Sequence, residues 1–452
     1  MSHSVGASIS FGDRIVKLLK EKRDIKPLLE WIKPQDFIPI LERLPKDDRL
    51  SLVLSLNDDV IEKFLPKLPA EIVEEVMFGM DRNRFIRIVS NLPADELSDL
   101  VEKLSPVNRK RLLWELPDWK LNEIKPLLSY PPDKVGGLMT NRIPVFFEEA
   151  EIWKVIREYV TRTKFDEYDT NNYAYAIDKN GKLKGLISIR ELLTSPRKLK
   201  LKDVVQPPPV TIKPDADEEE AARIVASYDL LELPVVDDDG KLLGAVTVDD
   251  VVDVVISEST EDMVKFGGVE KITTPYIMAS IFELTKKRVA WLIFLCLIEV
   301  IVAGVLSFYG KIISTIVALS FFIPLISSTG GNSGIQASIF IIRGLAVGEV
   351  SISDALRVLV KESLTSLFLS LLLSPLTFFL GFLIAKNIWV ALTLSISLIL
   401  IIFTVNIVGS LLPMLAAKVG IDPATISAPL IATIADLVGL LIYFTVATIL
   451  LF

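Results

Sequence analysis

From Val289 onward the sequence is dominated by apolar runs of the length a lipid bilayer demands. This bounds the fold more tightly than anything else in the chain. About 20 apolar residues cross the hydrocarbon core as a helix, and a segment in lipid must satisfy its backbone groups internally. Five spans are expected, at 289–309, 312–342, 356–385, 388–416 and 426–452, several long enough to be tilted or broken. Basic residues concentrate on the cytoplasmic side of membrane proteins. With the N-terminus inside, Lys286, Lys287, Arg288, Arg343, Arg357, Lys361 and Lys418 fall inside, and only Lys311 and Lys386 outside. An N-in, C-out multi-pass protein of the cell membrane is therefore expected. Residues 1–10 carry no apolar core, so no signal peptide is expected.

Ionisable groups within the spans carry the functional information, because a charge at mid-membrane costs roughly 2.5–3.5 kcal/mol on insertion scales and must face a cavity or a partner. Asp436 lies in Ala435-Asp436-Leu437-Val438-Gly439 with no basic residue within four positions. One such carboxylate per chain on a symmetry axis suits a hydrated divalent cation, which prefers oxygen ligands. The carbonyl of Ala432, one turn earlier, is placed to assist. In the second span, 327–336 is a break of small polar residues, Ser327-Ser328-Thr329-Gly330-Gly331-Asn332-Ser333-Gly334. It serves either pore lining, with Asn332 the candidate, or close helix packing. Glu362 and Asn406 are further candidates, and Glu362 alternatively sits at the inner interface beside Lys361. Glu299, mid-span in the first helix, either pairs with another helix or carries a proton.

Ahead of the membrane region the chain reads as a charged soluble protein in three parts. Residues 11–134 contain a repeat: Leu44-Pro45, Leu68-Pro69, Leu92-Pro93 and Leu116-Pro117 recur every 24 residues, each opening a helical pattern. Pro followed by acidic residues is a helix-start signal, and two short helices per repeat would stack as an α-solenoid. Residues 138–256 hold a tandem, in which Gly181-Lys182-Leu183-Lys184-Gly185 matches Gly240-Lys241-Leu242-Leu243-Gly244, 59 residues later. Each copy has strands either side of a glycine turn and then a helix. This resembles tandem CBS domains. Residues 257–285 connect the tandem to a membrane domain at 286–452, and Pro275 interrupts any single helix there.

Charge is unevenly placed. Between Asp215 and Asp262 sixteen Asp and Glu face two basic residues, so this window carries −14 of a net −8 and the remainder is +6. Such a balance disfavours nucleic acid and favours cations. Asp250 and Asp253 share a helix face, Glu258, Glu261 and Asp262 share another, and Asp217 and Glu219 open a helix. Grouped, they repel one another unless cations lie between them. The single histidine, His3, and single cysteine, Cys296, leave no zinc site of ordinary type, no internal disulfide and no Ser-His-Asp or Cys-His machinery. No enzyme activity is expected.

The membrane motifs resemble the MgtE family of magnesium channels. Pro324-Leu325-Ile326 with the small polar run after it, Asn406-Ile407-Val408-Gly409 through Pro413, Asp422-Pro423-Ala424, and Ala435-Asp436 through Phe444 carry the resemblance, although Ile335 stands where the family usually has Asn. The resemblance implies a homodimer with the pore between subunits and Asp436 at the ion site. It also implies closure by cytosolic Mg²⁺ through the connecting helix, with Asp217, Glu219, Asp250, Asp253, Glu258, Glu261, Asp262 and Asp422 as regulatory ligands. ATP binding in some members corresponds to Tyr173 and Arg190. A secondary transporter using Asp436 and a membrane-anchored nucleotide sensor are the alternatives.

Overall fold

The computed structural model describes residues 37–452 apart from 166, 273, 275 and 277. His3, the first part of the repeat region and Pro275 lie outside the described residues. The chain divides into two compact units, one running to Glu258 with a short stretch ending at Ala279, the other comprising Ser259–Ile272 and Ser280–Phe452.

In the first unit the 24-residue repeat is explained by one local device. Pro45, Pro69, Pro93 and Pro117 each sit at the N-cap of a helix, Lys46–Leu54, Ala70–Gly79, Ala94–Lys103 and Asp118–Ile124. A cap has non-helical backbone and needs no N–H, so proline's fixed φ costs nothing there. The leucine before each proline is buried in the shared core. The alternate helices are Asp58–Glu62, Arg82–Asn91 and Pro106–Glu115, the second capped by the Asp81 side chain accepting from Arg84 N. Successive repeats are tied by contacts one repeat on: Arg49 to Glu75, Arg84 to Asp58, and Lys120 Nζ to the Leu92 carbonyl at 2.5 Å.

The tandem also folds as its sequence suggests. Strands β1 (Val145–Phe147), β2 (Tyr173–Ile177) and β3 (Leu183–Ser188) form one sheet, with β1 parallel and β3 antiparallel to β2. Strands β4 (Glu232–Val236) and β5 (Leu242–Thr247) form an antiparallel pair. The matching glycines, Gly181 and Gly240, both have positive φ at the hairpin turns, which glycine adopts freely. The two copies meet at these turns: Leu183 N donates to Gly240 O and Leu242 N to Gly181 O, each at 3.0 Å. Beneath lies Glu232, buried, whose carboxylate accepts from the Tyr175 hydroxyl at 2.7 Å and from Asn172 N.

In the second unit four helices are long and apolar enough to cross a membrane, including Ile281–Phe308, Ile388–Lys418 and Ala428–Leu451, with the fourth ending at Ala385. The expected span 312–342 is not one helix. It comprises Gly310–Thr315, a 3₁₀ segment Val317–Phe322 and the helix Ile323–Ala346. Ile316 leaves the helical region, and Pro324 opens the new helix. Apolarity continues across this break, so hydropathy alone does not reveal it. The small polar residues of Ile323–Ala346 pack rather than interrupt. A Cβ on Gly330 would press on Ile401, one on Gly334 on Val405 and Ile431, and one on Gly409 would overlap the Gly334 carbonyl oxygen. Close backbone approach of this kind is the usual currency of helix association in lipid.

The helix Val248–Phe266 continues the second CBS copy and stops at Gly267-Gly268. The next helix begins at Ile281, so helix does not run through 257–285.

Candidate cation sites

The helix Ala428–Leu451 buries Ile431, Ala435, Gly439 and Tyr443, which leaves Asp436, one residue past Ala435, half-buried on its flank. The Ser327 side chain, from the small polar run of Ile323–Ala346, lies near its carboxylate. A hydroxyl carries no charge to neutralise a carboxylate, and carboxylate oxygens are the ligands hard divalent cations prefer. Ala432, one turn earlier, lies against Gly331. Asn332 is exposed, with its amide donating to Ser328 Oγ at 3.4 Å. Asn406 is buried and accepts from Ser333 Oγ at 2.6 Å, which gives it a packing role. Glu362 is half-buried. Glu299 is exposed on Ile281–Phe308, a helix that buries only Leu295 and Val302.

The soluble carboxylates divide into three groups. Asp217 caps the helix Glu218–Tyr228, accepting from Glu219 N, and pairs with Lys134 at 3.3 Å. Asp250 accepts from Thr247 Oγ1 at 2.5 Å and Asp253 stands 3.8 Å from Lys67. This second group faces acidic residues from the repeat region that the sequence did not single out, on the helix Ala94–Lys103. Burial, then repulsion from Asp250 and Asp169, pushes the Asp95 carboxyl well up. Burial first, and Asp253 among the charges, raises Asp99 despite Lys103. Asp250 itself is pushed up to about 7, chiefly by burial and then by Asp249 and Asp99 against the Thr247 hydrogen bond. One fully buried oxygen of Asp95 has no hydrogen-bond partner among the described residues. Asp99 and Asp253 are exposed, but Asp95 and Asp250 are half-buried with no ion pair among the described residues; charge held there is costly, and either a proton or a cation relieves it. No three His, Cys, Asp or Glu side chains converge into a ready-made metal cage among the described residues. Mg²⁺ does not need one, because it keeps several waters and takes one or two carboxylates.

The third group lies at the end of the connecting helix. Lys265 Nζ stands 2.7 Å from both Glu261 and Asp422, and Lys271 Nζ is 3.0 Å from the other Glu261 oxygen. Burial draws the Lys265 pKa down, but the hydrogen bonds with Asp422 and Glu261 outweigh it and hold the ammonium above its ordinary value. The donor atoms at Glu261 and Asp422 suit a divalent cation, yet their charge is already matched. As arranged, this pair does not fit a metal. Glu258 and Asp262 lie on the same helix.

Tyr173 opens β2 opposite Ser188, the cap of the helix Ile189–Thr194 that carries Arg190. The two expected nucleotide contacts thus share one end of the first CBS sheet.

Comparison with known proteins gives one consistent picture. Residues 323–446 match the family described as divalent cation transporter, 32–133 the MgtE intracellular N domain, and 201–257 the CBS domain. The magnesium transporter MgtE of Thermus thermophilus is 35% identical over 439 residues, covering 95% of this chain and 96% of that protein. The Bacillus subtilis magnesium transporter MgtE is 30% identical over 442 residues, covering 96% of each. A crystal structure of the cytosolic domain of the Mg²⁺ channel MgtE in complex with ATP superposes with a TM-score of 0.50 at 31% identity, covering 54% of this chain and 99% of that one.

Proposed function

The chain belongs to the MgtE family of magnesium transporters, and from that premise we propose that it is a homodimeric Mg²⁺ channel closed by cytosolic Mg²⁺. The observation that carries the reading is Asp436: a half-buried carboxylate on a membrane-spanning helix, with no basic residue within four positions of it in sequence. Two copies across a symmetry axis would offer two carboxylates, with the Ala432 carbonyls and Asn332 amides as neutral ligands to a cation that keeps part of its water. An N-terminus on the inner side, where the basic residues flanking the spans concentrate, puts the acidic first unit in the cytosol.

Gating follows from the repulsion at the acidic interface. Without divalent cations, Asp95 and Asp99 oppose Asp250 and Asp253 and favour separation of the repeat region from the CBS pair. Mg²⁺ between them converts repulsion to attraction and favours the compact arrangement, the closed state. Asp217 and Glu219, at the start of the helix Glu218–Tyr228, form a separate acidic group beside Lys134. Nucleotide at Tyr173 and Arg190 is a modulator, a reading supported by the ATP complex of the similar cytosolic domain. The test is Mg²⁺ flux into liposomes holding the purified protein, with Mn²⁺, Co²⁺ and Ca²⁺ in parallel and Mg²⁺ varied on the cytosolic face. Flux that falls as cytosolic-face Mg²⁺ rises is expected, and flux indifferent to it removes the gating.

A further inference from the structure

Lys265 lies on the last turn of the helix Val248–Phe266 and joins it to the segment ahead of the Asp436 helix. Its ammonium is 2.7 Å from Glu261, one turn back, and 2.7 Å from Asp422, 157 residues on. Asp422 is itself fixed, its other oxygen accepting from Ala424 N at 2.8 Å as the cap of the turn Pro423–Thr425. Two residues beyond that turn is Ser427, the cap of Ala428–Leu451. Ser427 Oγ accepts from Trp291 Nε1 at 3.1 Å. The Trp291 ring in turn closes on Gly268, at φ +71°, where any Cβ would meet the indole at 2.6 Å. The end of the connecting helix, the first membrane helix and the start of the Asp436 helix are therefore joined by direct contacts within one compact unit.

We propose that Lys265 is a built-in counter-ion that latches the end of the connecting helix to the Asp422 turn, so that this contact stands without a bound divalent cation. Two carboxylates here already face two ammonium groups, Lys265 and Lys271. A dication entering between Glu261 and Asp422 must first expel an ammonium from two short, charge-assisted contacts, which are the stronger class of hydrogen bond. Lys265 acts as a positioning residue: it touches no transported ion and holds the turn from which the Asp436 helix starts. Its consequence for transport rests on the proposed channel. Sensitivity to Mg²⁺ then resides at the Asp95–Asp250 interface, and the latch transmits that signal.

Amide hydrogen exchange on the full-length protein in nanodiscs, with EDTA and no Mg²⁺, tests the latch without reference to flux. Residues 259–266 and 420–427 are expected to be protected in the unaltered protein. Lys265→Met lowers that protection about tenfold, and Lys265→Arg retains it. Asp422→Asn keeps a side-chain oxygen for the Ala424 cap but removes the ion pair, and shows the same loss as Lys265→Met. Protection in Lys265→Met equal to that of the unaltered protein overturns the proposal. So does protection of the unaltered protein that arises only when Mg²⁺ is added. A protein that conducts no Mg²⁺ yet shows the expected exchange pattern refutes the channel and leaves the latch standing.

Discussion

If Mg²⁺ and protons compete for the acidic interface, Mg²⁺ binding must depend on pH in a way Asp250 dictates. Its carboxyl is pushed up to about 7, mainly by burial, with Asp249 and Asp99 adding. A carboxyl raised above its unfolded value binds its proton more tightly in the compact state. Protonation therefore stabilises the compact interface, and that stability is lost as pH climbs through 7. With a pKa of about 7 the group is roughly nine-tenths protonated at pH 6 and one-tenth at pH 8. A cation that needs the ionised form then binds about tenfold more weakly at pH 6, equivalent to ~1.4 kcal/mol. Asp95 and Asp99, raised in the same direction, steepen the dependence. Titration calorimetry of the full-length protein, in two buffers of different ionisation enthalpy, reads affinity and proton release together. Close to one proton released per Mg²⁺ at pH 6, little at pH 8, and loss of most of this difference in Asp250→Asn are expected. Equal affinity at both pH values with no proton release refutes the competition and with it the role given to this interface.

Three further outcomes follow from packing and charge. Gly409→Val forces side-chain atoms into the Gly334 carbonyl and costs several kcal/mol (~3) by overpacking; the yield of folded protein by size-exclusion chromatography should collapse, while Gly304→Val, where a Cβ meets nothing, should not. Lys120→Met strips the Leu92 carbonyl and Glu123 of a buried donor and should lower stability by ~2 kcal/mol, read as a lower denaturation midpoint of the first unit. Asp95→Asn removes one of the opposed carboxylates; in EDTA it should make the helix Ala94–Lys103 more protected from hydrogen exchange than in the unaltered protein, and addition of Mg²⁺ should then change it less.

Much of this architecture was legible because the chain repeats its own instructions. Leucine before proline at a 24-residue interval encodes both a helix cap and a core position, so one pattern places four helices. The glycines at 181 and 240 encode two hairpins, and a carboxylate without basic neighbours marks Asp436. What sequence concealed depends on distance. Asp95 looks like an ordinary first-turn acid complementing a helix dipole and Asp99 like an exposed acid further along the same helix, and only folding sets them against residues some 150 positions later. Lys265 reads as a common basic residue near a helix end, and nothing local announces Asp422 as its partner. The break at Ile316 is silent because both sides of it are apolar. Glu261 and Asp422 were legible as acidic residues, but not the lysine that already balances them.

Single-channel recording from bilayers with Mg²⁺ as the only permeant cation tests whether Asp436 forms the ion site of a channel. Discrete openings passing many ions each are expected in the unaltered protein, and none in Asp436→Ala protein that elutes and melts as the unaltered protein does. Normal Mg²⁺ openings in that variant would contradict that assignment.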